Sequence, residues 1–379
     1  MPVRRLRRSL IKSVDLIVLG AGLAGSAVAW QAHWRGWSVA IIDRFDSNSS
    51  SRVAAGLVTP ITGSRAAASW RWSEFYPTAD RFYRQVERET GASFWHVEPA
   101  LRVFRDNVER ELFENKWIKP TRVAEPNSVS AELISEQALF GLRAPFGVCS
   151  FGPAARLDTI AYLTETQRYF EQLDAFHLDD VTCDNGIVFE SSSMAHPVKV
   201  SNLKILGKRI VFCQGIAARE NRFFKDLPLH PARGDILVVQ SRGVSCRRVI
   251  HRDTWAVPLG DQRFLVGATY ERFAMNEPFE TSNEKSNGFR DELVRRWEML
   301  TPGTLQGGQN VVLDQRWGIR PASYDRHPLI GSHDVHLNAF CVNGLGSKGT
   351  LMAPRLAEMI IDAMEGGTID PTLNRSRLK

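Results

Sequence analysis

The chain has 379 residues, 43% of them hydrophobic and 24% charged, with a formal net charge of +6. That composition excludes a disordered, collagen-like or disulfide-scaffold protein and leaves room for about two domains. The isoelectric point near 9.2 is mildly basic and does not by itself imply a nucleic-acid partner.

Residues 1–13 hold the cluster Arg4-Arg5-Leu6-Arg7-Arg8 and read as a solvated basic tail. Arg7-Arg8-Ser9-Leu10 loosely resembles a twin-arginine export signal. The next apolar run is a strand the fold needs, so export is not expected and a cytoplasmic location is. No stretch of about 18 uninterrupted apolar residues occurs, so no transmembrane segment is expected.

From Asp15 an apolar strand runs into Gly20-Ala-Gly22-Leu23-Ala24-Gly25, a helix follows, and a second strand, Val39–Asp43, ends in an acid. Gly20 permits the tight turn, Gly22 lets a pyrophosphate approach bare backbone, and Gly25 lets the helix pack close to the strand. The helix N-terminus offers free N–H groups and a positive dipole end to phosphates. Asp43, with Arg44 beside it, is placed to accept hydrogen bonds from a ribose diol. A dinucleotide site is predicted.

The loop Ser49–Gly56 is small and polar, and its Ala55-Gly56 end can lie close to a flat ring or a phosphate. Residues 70–90 show Phe75, Ala79, Phe82 and Val86 at helical spacing, which predicts one buried face. Short strand-like runs, Leu101–Phe104 and Gly147–Phe151, follow among prolines. Leu157-Asp158 opens an amphipathic helix to about Leu173, capped by Asp158. Short strands are predicted around Asp180-Val181-Thr182-Cys183 and Gly186–Glu190. An apolar strand, Lys208–Cys213, ends at Gly215. Residues 230–271 read as strand-rich, helices are predicted near 284–300, and Ala339–Val342 leads through a glycine-rich turn into a helix reaching Met364. That turn lacks a following strand and acid, so a helix N-terminus aimed at an electron-rich ring edge is the better use of it.

The five cysteines, Cys149, Cys183, Cys213, Cys246 and Cys341, are scattered with no CxxC, which argues against disulfides and a zinc site. No metal is expected. His230, His251 and His327 read as hydrogen-bonded structural residues. Arg233 sits at a strand start, facing a partner or solvent.

Taken in order, the motifs resemble the D-amino-acid oxidase / glycine oxidase family of FAD-dependent oxidoreductases over about residues 14–364. They are Gly20–Gly25 with Asp43, Ala54–Pro60, Ile210–Gly215, Pro231–Asp235, Val257–Gly260, Gly267–Glu271, Gly318–Pro321, Asp325–Gly331 and Gly344–Gly349. The resemblance implies an α/β fold in which a FAD-binding Rossmann-like domain interleaves with an α+β substrate domain on an antiparallel sheet. Residues 14–60, 151–225 and 306–366 would form the first. Residues 61–150 and 226–305 would form the second and roof the flavin. FAD would be non-covalent, because no cysteine lies between 247 and 340. Its contacts would include Val181, Gly215, Gly344, Gly346, Ser347, Lys348 and Gly349.

By the same resemblance Arg320 grips a substrate carboxylate, with Lys348 and Tyr270 as secondary candidates. The implied reaction passes hydride from a carbon bearing an amine to flavin N5, after which the imine hydrolyses. A small amino acid or secondary amine is the expected substrate. Ser347 stands where glycine oxidases carry a second arginine, which weakens the case for glycine itself. An alternative is oxidation of an aminomethyl group on a modified tRNA uridine, without the methyltransferase half, for which no N-terminal extension precedes the first strand. A FAD-binding scaffold or redox sensor is the non-enzymatic alternative. The electron acceptor, oxygen or a respiratory carrier, and the oligomeric state are not legible.

Overall fold

The computed structural model describes residues 11–119, 128–135, 140–181, 186–190, 196–273, 283–303, 305 and 307–378. Thr182 and Cys183, the end of one predicted strand, and the Arg4–Arg8 cluster lie outside the described residues. Strand β1 (Lys12–Leu19) leads through the glycine turn into helix α1 (Leu23–Trp34), which returns as strand β2 (Val39–Asp43). β2 and β1 run parallel, and Ile205–Phe212 adds to β1 in the same direction. Phe176–Leu178 extends the parallel sheet on one side, and a late strand, Ala339–Asn343, joins it on the other. Three antiparallel segments complete the eight strands.

The strands at the centre of this sheet are apolar because both faces are covered. Leu16, Val18 and Ile41 point into a core with Trp30, Phe82 and Leu356, while Ile17, Ile42 and Ile210 face Val198, Phe224 and Leu329. Helix Trp72–Thr90 buries Phe75, Ala79, Phe82 and Val86, the face its spacing predicts. That face packs in the first core, against the dinucleotide-side helices, and not under the second sheet. The helix Thr159–Gln172 is capped as expected, Asp158 accepting from Ala161 N at 3.1 Å.

A second sheet of nine strands is mostly antiparallel. Three of its strands bear on the site: β3 (Ala232–Ser241), β4 (Glu271–Arg272) and β5 (Asn310–Arg320), the last two each pairing with β3. β5 was not anticipated. Its exposed positions carry Val311, Leu313, Asp314 and Arg316, so no two-residue alternation marks it. Because β5 lies along β3, residues 310–320 belong with the second sheet, which departs from the 306–366 division expected from sequence. Val148–Gly152 likewise lies in this sheet, beside Ala100–Val103.

No helix among the described residues is long and apolar enough to cross a membrane. Four cysteines are buried and free, and burial pushes the Cys149 and Cys341 thiols up to about 12. They pack as small apolar residues and are poor nucleophiles. Among the described residues no cluster suited to a metal ion occurs.

His251 lies inside the second sheet, its short strand paired on both sides, and carries a pH prediction. Its Nε2 is buried without a partner among the described residues. Burial first, and the nearby Arg102 cation second, pull its pKa down to about 3. The unfolded chain takes up a proton below about 6.5 that the folded chain refuses, so stability falls as pH drops from there towards 3. The loss between pH 6 and pH 5 amounts to about 1 kcal/mol. His251→Leu removes that slope in urea melts compared across pH, whereas parallel curves for the two proteins would refute it.

Candidate functional site

The turn after β1 is shaped by steric necessity at two glycines. Gly20 has φ +97°, and a Cβ on Gly25 would lie 1.8 Å from the Gly20 carbonyl oxygen. α1 therefore begins flush against the strand, and its N-cap residue, Gly22, has no side chain to offer it. Leu23 N–H donates to Ser51 Oγ at 3.0 Å. Asp43 accepts from Ala21 N–H at 2.6 Å and from Phe45 N–H at 2.8 Å. Its carboxylate braces the turn and keeps lone pairs for a further donor.

A groove runs from this turn. Its outer end is lined by Asp43, Arg44, Asp179 and Val181, its middle by Gly20, Gly22, Ser51 and Gly215. Gly22, Ser50, Ser51, Cys213 and Gly215 also line a second, inner cavity, so the two are continuous. The inner floor is Leu23, Ala24, Ala55 and Gly56. Gly56 holds φ +69°, and a Cβ there would strike the Leu157 carbonyl oxygen at 1.9 Å. The far wall is Gly346, Ser347 and Gly349, at the start of the second dipole-bearing helix, α2 (Gly349–Met364), which also lacks a side-chain cap. Asn343 fixes that turn by donating to Gly215 O at 2.8 Å and accepting from Gly344 N–H at 2.8 Å.

The second sheet forms the ceiling through Gly234, Gly318, Trp255, Thr269, Tyr270 and Arg320. Arg320 ends β5 and is tucked against β3. Its Nη1 donates to Arg233 O at 3.1 Å and to Thr269 O at 3.3 Å, and its guanidinium carbon stands 5.4 Å from the Tyr270 ring centre. Burial lowers its pKa, yet a guanidinium starts so high that it stays charged. No Asp or Glu among the described residues pairs with it. Gly234 makes its seat, since a Cβ there would lie 2.0 Å from Nη2. Gly234→Ala is expected to dislodge the guanidinium and raise the constant for a carboxylate ligand about a hundredfold, with flavin content kept. Titration of the flavin absorbance with a carboxylate reads this, and an unchanged constant would sink it.

The neighbours of Gly234 face the opposite side. Arg233 is fully buried, not solvent- or partner-facing as its position at a strand start suggested. It donates twice to Asp235, at 2.8 and 2.9 Å, between the rings of Phe289 and Trp317. Asp235 N–H in turn donates to Thr269 Oγ1 at 2.8 Å. This ion pair braces the strand segment against which Arg320 rests. Ser51, Gly234, Asp235 and Thr269 lie in the segments Ser49–Gly56, Pro231–Asp235 and Gly267–Glu271 that the sequence singles out, but their place at the site is visible only in the structure; the alternation Arg233-Gly234-Asp235 is the local signal.

Two candidates stand apart from the cavity. Lys348 Nζ turns away from it to donate to Ser69 Oγ at 3.0 Å, and burial lowers its pKa. Gly344, at φ +74°, packs on Leu329 and shapes the turn from behind.

Whether FAD fits is decided by this backbone. The continuous channel has a helix N-terminus at its middle, bare glycine where a phosphate would rest, and a small-residue floor. Among the described residues its charged side chains line the outer end (Asp43, Arg44, Asp179) and the inner ceiling (Arg320).

The profile of the FAD dependent oxidoreductase family matches residues 15–363. A glycine oxidase from Bacillus licheniformis is 24% identical, the alignment covering 94% of this chain and 95% of that protein. The tRNA 5-methylaminomethyl-2-thiouridine biosynthesis bifunctional protein MnmC of Idiomarina loihiensis is also 24% identical over 93% of this chain, which spans 56% of it. The crystal structure of glycine oxidase from Geobacillus kaustophilus superposes with a TM-score of 0.75 at 17% identity, covering 97% of this chain and 99% of that one.

Proposed function

Because the chain belongs to the D-amino-acid oxidase / glycine oxidase family of FAD-dependent oxidoreductases, which act on amino acids or amines, we propose that it oxidises the C–N bond of a small carboxylated amine. Bound FAD supplies the hydride acceptor. Gly20, Gly22, Ser51 and the first turn of α1 would hold its pyrophosphate, and Asp43 its ribose. The observation that carries the reading is Arg320, a partly buried cation without a carboxylate partner among the described residues, set in the ceiling above an apolar floor.

The rest follows from what this chain offers. Arg320 presents planar, parallel donors to a carboxylate and so fixes the adjacent carbon. The half-exposed Tyr270 ring lies 5.4 Å from the guanidinium carbon. The start of α2 favours negative charge at the far wall of the cavity. Proximity and electrostatics do the work without a nucleophile or a His/Asp triad. The amine must enter neutral, and the resulting imine hydrolyses in water. The MnmC relatives support a second reading, an aminomethyl group on a tRNA base, for which a Lys/Arg stripe leading to the channel would be the mark.

The test is anaerobic mixing of the purified yellow protein with amino acids and N-substituted amines. Bleaching of the flavin band by a carboxylated amine is expected. No bleaching by any amine would leave a flavin-binding scaffold or sensor, and bleaching only by a modified tRNA would favour the second reading. Reoxidation with oxygen or with a quinone then identifies the class of acceptor.

A further inference from the structure

We propose that Arg272, exposed beside the Tyr270 edge of this cavity, is a second anion-binding group and that the substrate is a small amine carrying two anionic groups; this rests on the Arg320 reading and narrows it. Ala232 of β3 pairs with Arg272 of β4 on one side and with Arg320 of β5 on the other. Residues in register across neighbouring strands share a face. Arg272, Ala232 and Arg320 therefore form one row on the face that carries Gly234 towards the cavity. Two strand spacings put the ends of the row about 10 Å apart. The Tyr270 ring stands between the two cations, 5.4 Å from the Arg320 guanidinium carbon and 6.0 Å from that of Arg272.

Arg272 is held, and no Asp or Glu among the described residues pairs with it. Its Nη1 lies 3.3 Å from His230 Nδ1. A guanidinium only donates, so in a hydrogen bond here the ring nitrogen is the acceptor. The His230 ring is fixed from its other side by Tyr324, with centroids 4.9 Å apart. The adjacent Glu271 does not serve Arg272. It points to the opposite face of the strand, where it pairs with Lys285 at 2.6 Å. Arg320 thus stands in the cavity ceiling and Arg272 is exposed past the Tyr270 ring on the same sheet face, neither with an acidic partner among the described residues. A ligand with one carboxylate on Arg320 and a second anionic group several bonds away satisfies both. A monocarboxylate satisfies one.

The experiment is calorimetric titration of the FAD-loaded protein with unreactive acids, succinate and glutarate against butyrate. The dicarboxylates are expected to bind at least about tenfold more tightly, as one added charge-assisted hydrogen bond provides. Arg272→Gln should bring that ratio towards one, and Arg272→Lys should keep part of it. Flavin content and melting temperature confirm that each variant is folded. A wild-type ratio near one, or a ratio that survives Arg272→Gln, overturns the proposal. Arg320→Ala weakens binding of both acid classes if the underlying reading holds; if it weakens neither, that reading has failed, whatever Arg272 does. Displacement of butyrate by tRNA, with no preference for dicarboxylates, would give Arg272 to a phosphate backbone and would also refute a small dianionic substrate.

Discussion

Arg320→Ala is expected to lower kcat/KM for a carboxylated amine about a thousandfold, with one FAD still bound per chain. The size follows from the environment of the group. Truncating one member of a buried, hydrogen-bonded charge pair costs about 4 kcal/mol, because the remaining charge is left without its partner. Here the remaining charge is the substrate carboxylate, brought under a ceiling of Trp255, Tyr270 and backbone. Flavin binding should survive, since Arg320 reaches neither α1 nor the Asp43 end of the groove. Arg320→Lys restores little, because an ammonium cannot donate in parallel to two oxygens and to the Thr269 and Arg233 carbonyls. Steady-state kinetics beside flavin absorbance separate these outcomes. Loss of colour in Arg320→Ala, or a kcat/KM within a few fold of the parent, would remove Arg320 from the role assigned to it.

Gly25→Val is expected to yield protein without flavin. A Cβ at position 25 would stand 1.8 Å from the Gly20 carbonyl oxygen and 3.2 Å from Cys213 Cβ. α1 must then move off β1 by more than an ångström. Ser51 loses its bond to Leu23 N–H, and the bare N–H groups no longer point into the channel. Strain of this kind in a packed core costs about 1–3 kcal/mol of stability, so the fold itself weakens as well. The absorbance ratio of flavin to protein after purification, with a thermal melt, measures both effects. A fully yellow Gly25→Val protein would mean that the helix start does not hold the cofactor.

These two residues were legible in the sequence for different reasons. Gly25 belongs to a local pattern: strand, turn, helix and terminal acid succeed one another within thirty residues, and each step is dictated by short-range sterics. Arg320 was legible only by resemblance, from Gly318-Ile319-Arg320-Pro321. Nothing in its own neighbourhood says that it faces a cavity. Lys348 shows the limit of such reading. It sits in the glycine-rich turn with Ser347, yet one residue decides direction, and its ammonium goes to Ser69 while Ser347 borders the cavity.

What the chain order alone determined is the nucleotide-binding unit, its glycines and acid, the helical face Phe75–Val86 and the start of α2, because these depend on spacing within one or two turns of backbone. What only the tertiary structure decided is the ceiling. β5 lies beside β3 across some seventy intervening residues, and that long-range pairing sets Arg320 over Gly234, buries Arg233 against Asp235, and aligns Arg272 with Arg320 on one face. Strand register is a relation between distant segments, and a hydrogen-bond ladder leaves no mark in either segment read by itself.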